Sequence, residues 1–398
     1  MLKLKGGKGG LGMILCDAQV YVDGRFDRCE VQVEGGHIVD VGAQLCGHPR
    51  ISLHGAYLLP GLIDLHTHGA FGCSAMGSEE ELRRMACALP QTGVTAFVPT
   101  IGCAPIDEMR SALQRIDAVR LGPACTAAQV LGAHLEGPFL ADTHLGALRG
   151  DCLLPPCIDV YEVLCGAHGE AVRMLTLSPE VRGALPLASL LSQRGVCVCA
   201  GHTGATYAQM LQARQAGVRH ITHLFNAMAP LHHRAPGVPA AGLLDDATVE
   251  LICDGVHLHE AVLQLVARCK PPEQICLVTD AIPAAGLSDG LYTLAGLPVR
   301  VQGGVARLCE KGSLAGSTLT MHRALLHMAA HSGLPFAQVV GMATQVPARE
   351  LGDHTRGRIA AGLRADFCIL SPTRALWATI VGGTAAFMDD DAPFAWPV

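Results

Sequence analysis

Residues 58–69 read Leu58-Leu59-Pro60-Gly61-Leu62-Ile63-Asp64-Leu65-His66-Thr67-His68-Gly69. An apolar run ends in two histidines spaced i, i+2. On a strand, side chains two apart leave on the same side. Both imidazoles can therefore reach one point at the strand's end. Gly69 lets the backbone turn sharply just beyond them. Two neutral imidazoles converging on one point suit a transition-metal ion. In a chain with 19 histidines the pair alone also fits an ordinary turn, so the rest of the chain must decide.

From residue 58 onward, apolar strand candidates alternate with helix-length segments. The strands fall at 62–65, 96–99, 130–135, 172–177, 196–200, 220–223, 250–253 and 275–279. Helical periodicity marks 79–89, 107–119 and 207–216 between them. Eight β-then-α steps predict an α/β fold, a (β/α)8 barrel. An open doubly wound sheet has the same alternation. The barrel is preferred because polar residues gather at the C-terminal end of nearly every strand. Residues 13–57 read as short strands separated by Asp23-Gly24 and Gly35-Gly36, a small antiparallel unit. Beyond helical stretches at 320–332 and 335–344, the chain reads as β again. The expected organisation is a disordered extension over 1–12, with Met13 as the original start, a β-sandwich from 13–57 and 357–398, and a barrel over 58–356.

Half of the 398 residues are apolar and 16% are charged, enough for a large core. No apolar run reaches transmembrane length. The net charge of -6, without basic runs, gives no sign of nucleic-acid binding. Seventeen cysteines are scattered through apolar segments with no C-x-x-C pair. They read as reduced, buried thiols in a cytoplasmic setting, since so long a chain needs no disulfide framework. No secretory signal is visible.

The predicted strand ends carry a consistent chemistry. His66 and His68 close the first strand and Glu136 the third. His202 closes the fifth, His223 the sixth, and Asp280 the eighth. In barrels this face carries the chemistry. Glu136 can bridge two cations, with His202 and His223 completing one site and His66 and His68 a second. The mixed nitrogen and oxygen set suits one or two divalent ions such as zinc or iron, not calcium. Such an ion turns a bound water into a nucleophile near neutral pH. Asp280 is placed to take that water's proton.

These residues lie in blocks that resemble the N-acetylglucosamine-6-phosphate deacetylases of the amidohydrolase superfamily. The blocks are PGLIDLHTHG, HLEGPF, GHTGATY, THLFNAM, DGVHLH, VTDAIPAAGL and GSLAGSTLTM. The resemblance implies hydrolysis of an N-acetylated amino-sugar phosphate to acetate and the amine, in a homodimer. It places Glu136, His202 and His223 on the principal metal ligands and His66 and His68 on a second pair that only some members keep. Asp280 falls on the catalytic acid/base. Asn226 and Ala227 match the segment that meets the sugar phosphate, Arg234 the phosphate-binding arginine, for which the resemblance allows a reach across the dimer, and His257 a substrate-binding histidine.

One position departs from the family. Leu148 stands in Leu145-Gly146-Ala147-Leu148-Arg149-Gly150 where the family carries a histidine that contacts the sugar. A leucine donates no hydrogen bond, and neither His144 nor Arg149 aligns with the position. This opens N-acetylgalactosamine 6-phosphate or an unphosphorylated N-acyl sugar as alternative substrates. Rival activities on cyclic amides, dipeptides or deaminase substrates usually call for a carboxylated lysine bridge, and no lysine ends a barrel strand. A non-catalytic sugar-binding role fits poorly with a complete set of ligands and Asp280.

Overall fold

The computed structural model describes residues 12–123 and 126–397; nearly all of the expected N-terminal extension lies outside them. Eight parallel strands form a nearly closed barrel: Leu62–Thr67, Val94–Ile101, Ala133–Glu136, Val172–Leu177, Cys197–Ala200, His220–Ile221, Thr248–Ile252 and Ile275–Val278. All eight expected barrel strands are present. Most are fully buried, as strands covered on both faces must be.

Side chains and turns complete the seam between the first and eighth strands. Thr279 Oγ1 donates to Asp64 Oδ2 at 2.6 Å. Asp280 N donates to His66 O at 2.8 Å, and His68 N to Ala281 O at 2.7 Å. These bonds fix the strand ends that carry His66, His68 and Asp280 beside one another.

The sequence also explains where the helices begin. Ser78 and Glu81 form a reciprocal capping box at the start of Glu79–Ala88, which buries Leu82, Met85 and Ala86. Thr206 and Gln209 do the same for Tyr207–Gln215. The expected third strand, 130–135, divides into Gln129–Val130 and Ala133–Glu136. Gly132 between them has φ +141, and a Cβ there would lie 2.5 Å from Ala171 O. Only glycine fits that break.

The chain ends meet in one continuous eight-stranded sheet. Phe367–Leu370 pairs antiparallel with Arg50–Pro60, joining the C-terminal strands to the N-terminal ones. The sheet has its own hydrophobic core, which includes Val20, Val31, Leu58, Phe367 and Ile380. One pairing departs from the expected antiparallel unit: Met13–Val22 and Arg50–Pro60 run parallel. The hairpin Glu30–Glu34 with His37–Gly42 occupies one side of Met13–Val22, so the chain crosses over to reach the other side.

A three-stranded antiparallel insert, Gly290–Leu294, Leu297–Gln302 and Val305–Leu308, follows the eighth barrel strand. No described helix is long and apolar enough to cross a membrane. Among the described residues the cysteines are free.

Candidate active site

At the C-terminal mouth of the barrel, four imidazoles face one carboxylate. Nε2 of His202 and of His223 lie 3.1 and 3.2 Å from Glu136 Oε1. His66 Nε2 is 3.3 Å from the same oxygen, and His68 Nε2 is 3.2 Å from Oε2. Asp280 Oδ1 stands 3.3 Å from His68 Nε2 and 3.5 Å from His66 Nε2. All six side chains are buried. The structure thus brings together the six strand-end residues singled out in the sequence.

The backbone at these positions is held in a rare conformation. His202, His223, Ala227 and Asp280 have φ of +52, +27, +48 and +47. Positive φ in non-glycine residues costs free energy and clusters where function requires it. It also ends the sixth strand at Ile221, two residues short of expectation, so that His223 turns into the mouth. Gly316 secures the last of these turns. A Cβ on it would lie 2.7 Å from Asp280 O, while Ser317 N donates to that oxygen at 2.8 Å.

The ligand geometry fits a metal. His202 Nε2 and His223 Nε2 are 3.1 Å apart, and His66 Nε2 is buried without a hydrogen-bond partner. Facing ring nitrogens and an orphaned buried one are costly unless a cation lies among them. His66, His68 and Glu136 form one group whose ligand atoms could share an ion, and Glu136, His202 and His223 form another. Zinc and similar ions accept such donors.

Electrostatics point the same way. Burial works to raise the Glu136 pKa, but His66 and His202 outweigh it and hold the carboxyl well below its usual range. Burial works to lower the His68 pKa, yet Asp280 and Glu136 raise it to about 9. His66 and His223 are also raised against burial by the surrounding carboxylates. Without a cation, protons supply the positive charge that this carboxylate cluster requires.

Glu250 was not singled out from the sequence, yet it supports the mouth from below. Its Oε2 lies 3.0 Å from His66 Nδ1 and accepts from His223 N at 3.1 Å. Its Oε1 lies 3.0 Å from His220 Nε2, and His220 Nδ1 lies 3.2 Å from Glu350 Oε2. Because a carboxylate only accepts, His66 carries its proton on Nδ1 and leaves Nε2 for a metal. The available signal was a glutamate inside the apolar run Thr248-Val249-Glu250-Leu251-Ile252, since a fully buried acid must be paired. His134, two residues before Glu136, is a structural histidine. It bonds Thr176 Oγ1 at 2.7 Å, and burial pushes its pKa down to about 3.

A cavity of 130 Å³ opens onto five of the six residues, His68, Glu136, His202, His223 and Asp280, with His66 buried behind them. Asn226, Ala227 and His257 line it, as do Leu148, Leu294 and Leu314. Asp254 Oδ2 lies 2.7 Å from His257 Nδ1 and orients the ring. The Asn226 amide is turned toward the His223 and Leu224 carbonyls. Arg234 does not line the cavity of its own chain; it is exposed and donates to His233 Nε2 at 2.9 Å. His144 stays outside too, but its carbonyl holds His202 Nδ1 at 3.1 Å. Arg149 pairs with Asp151. A larger cavity of 660 Å³ lies beside the N-terminal end of the eighth strand and contains none of the converging histidines. The donor chemistry makes the smaller one the candidate active site.

Comparison with known proteins agrees with this geometry. The amidohydrolase family profile matches residues 57–392. An N-acetylglucosamine-6-phosphate deacetylase of Lysinibacillus sphaericus is 34% identical over 92% of this chain and 95% of its own. An N-acetylgalactosamine-6-phosphate deacetylase of Escherichia coli O157:H7 is 39% identical over 79% of this chain and 83% of its own. The structure of a Mycobacterium smegmatis N-acetyl-D-glucosamine-6-phosphate deacetylase mutant, in complex with N-acetyl-D-glucosamine 6-phosphate, superposes with a TM-score of 0.89. It is 34% identical, covering 95% of this chain and all of that one. With its barrel, its histidine–carboxylate mouth and this likeness along most of its length, the chain belongs to the metal-dependent amidohydrolase family, in the group represented by these amino-sugar-phosphate deacetylases.

Proposed function

We propose that this chain hydrolyses the acetamide of N-acetylglucosamine 6-phosphate, giving acetate and glucosamine 6-phosphate. The observation that carries the reading is the set of four imidazoles around Glu136 with Asp280 3.3 Å from His68 Nε2, in a chain similar to deacetylases over most of its length. Glu136, His202 and His223 would hold one divalent ion, and His66 and His68 with Glu136 a second. When bound, such an ion, zinc first and iron second, supplies Lewis-acid polarisation and acidifies water. The chain's own residues do the rest. Asp280 Oδ1 takes a proton from the attacking water and returns it to the amide nitrogen as the C–N bond breaks. The Asp254–His257 pair presents an oriented imidazole toward the carbonyl oxygen, where charge develops. The buried mouth excludes bulk water, which strengthens each of these contacts.

The sugar phosphate would extend outward past Asn226 and Ala227. Arg234, exposed on its own chain, would meet the phosphate of a neighbouring subunit in a homodimer. A cytoplasmic setting fits a small phosphorylated substrate and free thiols.

A second reading keeps the chemistry and changes the sugar. Leu148 lines the cavity and packs with Cys103, Leu140 and Cys152, so the wall is apolar where a hydrogen-bonding histidine was expected. With the 39% identity to an N-acetylgalactosamine-6-phosphate deacetylase, this favours the galactosamine epimer as the alternative substrate. Acetate release from both 6-phosphates and both unphosphorylated sugars separates the readings. Strong turnover of N-acetylglucosamine 6-phosphate supports the first; preference for its epimer supports the second. Activity on neither phosphate would sink both.

A further inference from the structure

A second cluster of ligand-type side chains stands away from the barrel mouth. The helix Met321–His331 carries His327 and His331 four residues apart, on one face. Their ring centroids are 4.4 Å apart. Glu260, the first residue of the helix Glu260–Cys269, faces them, with Oε1 3.2 Å from His331 Nδ1. One ligand atom from each of the three lies within 4.8 Å of the other two. An ion pair between Glu260 and His331 would account for two members. It leaves His327 Nε2, which is buried and has no hydrogen-bond partner. Burial, and then His331, lower the His327 pKa, which keeps the ring in the neutral form that ligates metals.

We propose that Glu260, His327 and His331 bind a divalent transition-metal ion of the zinc class, separate from any ion at the barrel mouth. Two imidazoles and one carboxylate suit such an ion, with solvent completing the shell, and suit calcium or magnesium poorly. The site ties two successive peripheral helices together. It also touches the loop after the seventh strand: a Cβ on Gly255 would lie 3.1 Å from His327 Cε1.

The test uses the full-length enzyme with its barrel mouth already loaded with zinc. Wild type, Glu260→Gln and His331→Ala are dialysed against rising zinc chloride, and bound zinc per chain is measured by mass spectrometry. Wild type takes up one zinc more than either variant, and its Tm rises on that addition while theirs does not. Turnover of the variants stays at the wild-type level, which shows that they are folded. Glu260 is exposed, so its substitution spares the core. Equal uptake by wild type and both variants, or no uptake by wild type beyond the mouth's complement, overturns the proposal.

Discussion

Replacing Glu250 should separate the support of the metal site from its ligands. The carboxylate is fully buried and receives three groups: His66 Nδ1, His220 Nε2 and the backbone N–H of His223. In Glu250→Ala all three lose their acceptor. At about 1–3 kcal/mol for each buried unsatisfied donor, the loss is about 3–9 kcal/mol. That is a large fraction of the ~5–15 kcal/mol that holds a typical domain together, so the alanine variant should accumulate poorly. Glu250→Gln is milder. Its amide oxygen can accept from His66 and His223, while its NH₂ donates to His220, whose Nδ1 proton then faces Glu350. The hydrogen bonds survive and the negative charge behind His66 does not. Substitutions of this kind behind metal-ligating histidines weaken metal binding by about 10–100-fold, equivalent to about 1.4–2.8 kcal/mol. Turnover measured against buffered free zinc should shift by that factor and recover at saturating metal. Wild-type zinc dependence in a folded Glu250→Gln enzyme would refute the assignment of Glu250 as the group that orients His66.

Three further outcomes follow from the same geometry. His68 has its folded pKa raised to about 9 from 6.5. Its proton therefore stabilises the metal-free fold fully below pH 6.5, and that contribution is lost as pH rises through about 9. Zinc must displace this proton, so zinc affinity should climb between those limits with measurable proton release in calorimetry; pH-independent binding would contradict it. Leu148→His should add one polar contact, about 0.5–1.5 kcal/mol, or about 2- to 12-fold in kcat/KM. The gain should fall on the sugar whose hydroxyl the imidazole reaches, with a lower Tm because the Leu148 cluster with Cys103 and Leu140 is apolar; the substrate panel reads it. Gly316→Ala should cut both stability and turnover, because φ is +54 and the new methyl would press on Asp280 O; an unchanged enzyme would show that this turn does not hold Asp280.

Much of the site was legible because its residues sit where strand period and barrel geometry coincide. The spacing of His66 and His68 puts both on one side of a strand, and each further ligand closes another strand. What escaped depended on contacts between distant segments. Glu250 looks like one more strand residue until the barrel brings it under His66. Leu294 and Leu314 gain a role only because the insert folds over the mouth. The insert itself had a readable signal: Leu297, Val299 and Val301 alternate with more exposed positions between glycine-rich turns. The parallel pairing of Met13–Val22 with Arg50–Pro60 had none, since local turn residues specify hairpins and not crossovers. Arg234 marks another limit. Its motif suggests phosphate, while its own chain leaves it at the surface, so the proposed phosphate contact would require a second subunit.

The most direct test of the central claim is turnover and metal content of Asp280→Asn measured on the same sample. Asparagine keeps the shape beside His68 and removes the proton acceptor. The account predicts metal content at the wild-type level and acetate release from N-acetylglucosamine 6-phosphate reduced by about 10²–10⁴-fold, the usual contribution of a general acid/base. Near-wild-type turnover in the metal-loaded variant would contradict it, because the proton would then be moving through a different group.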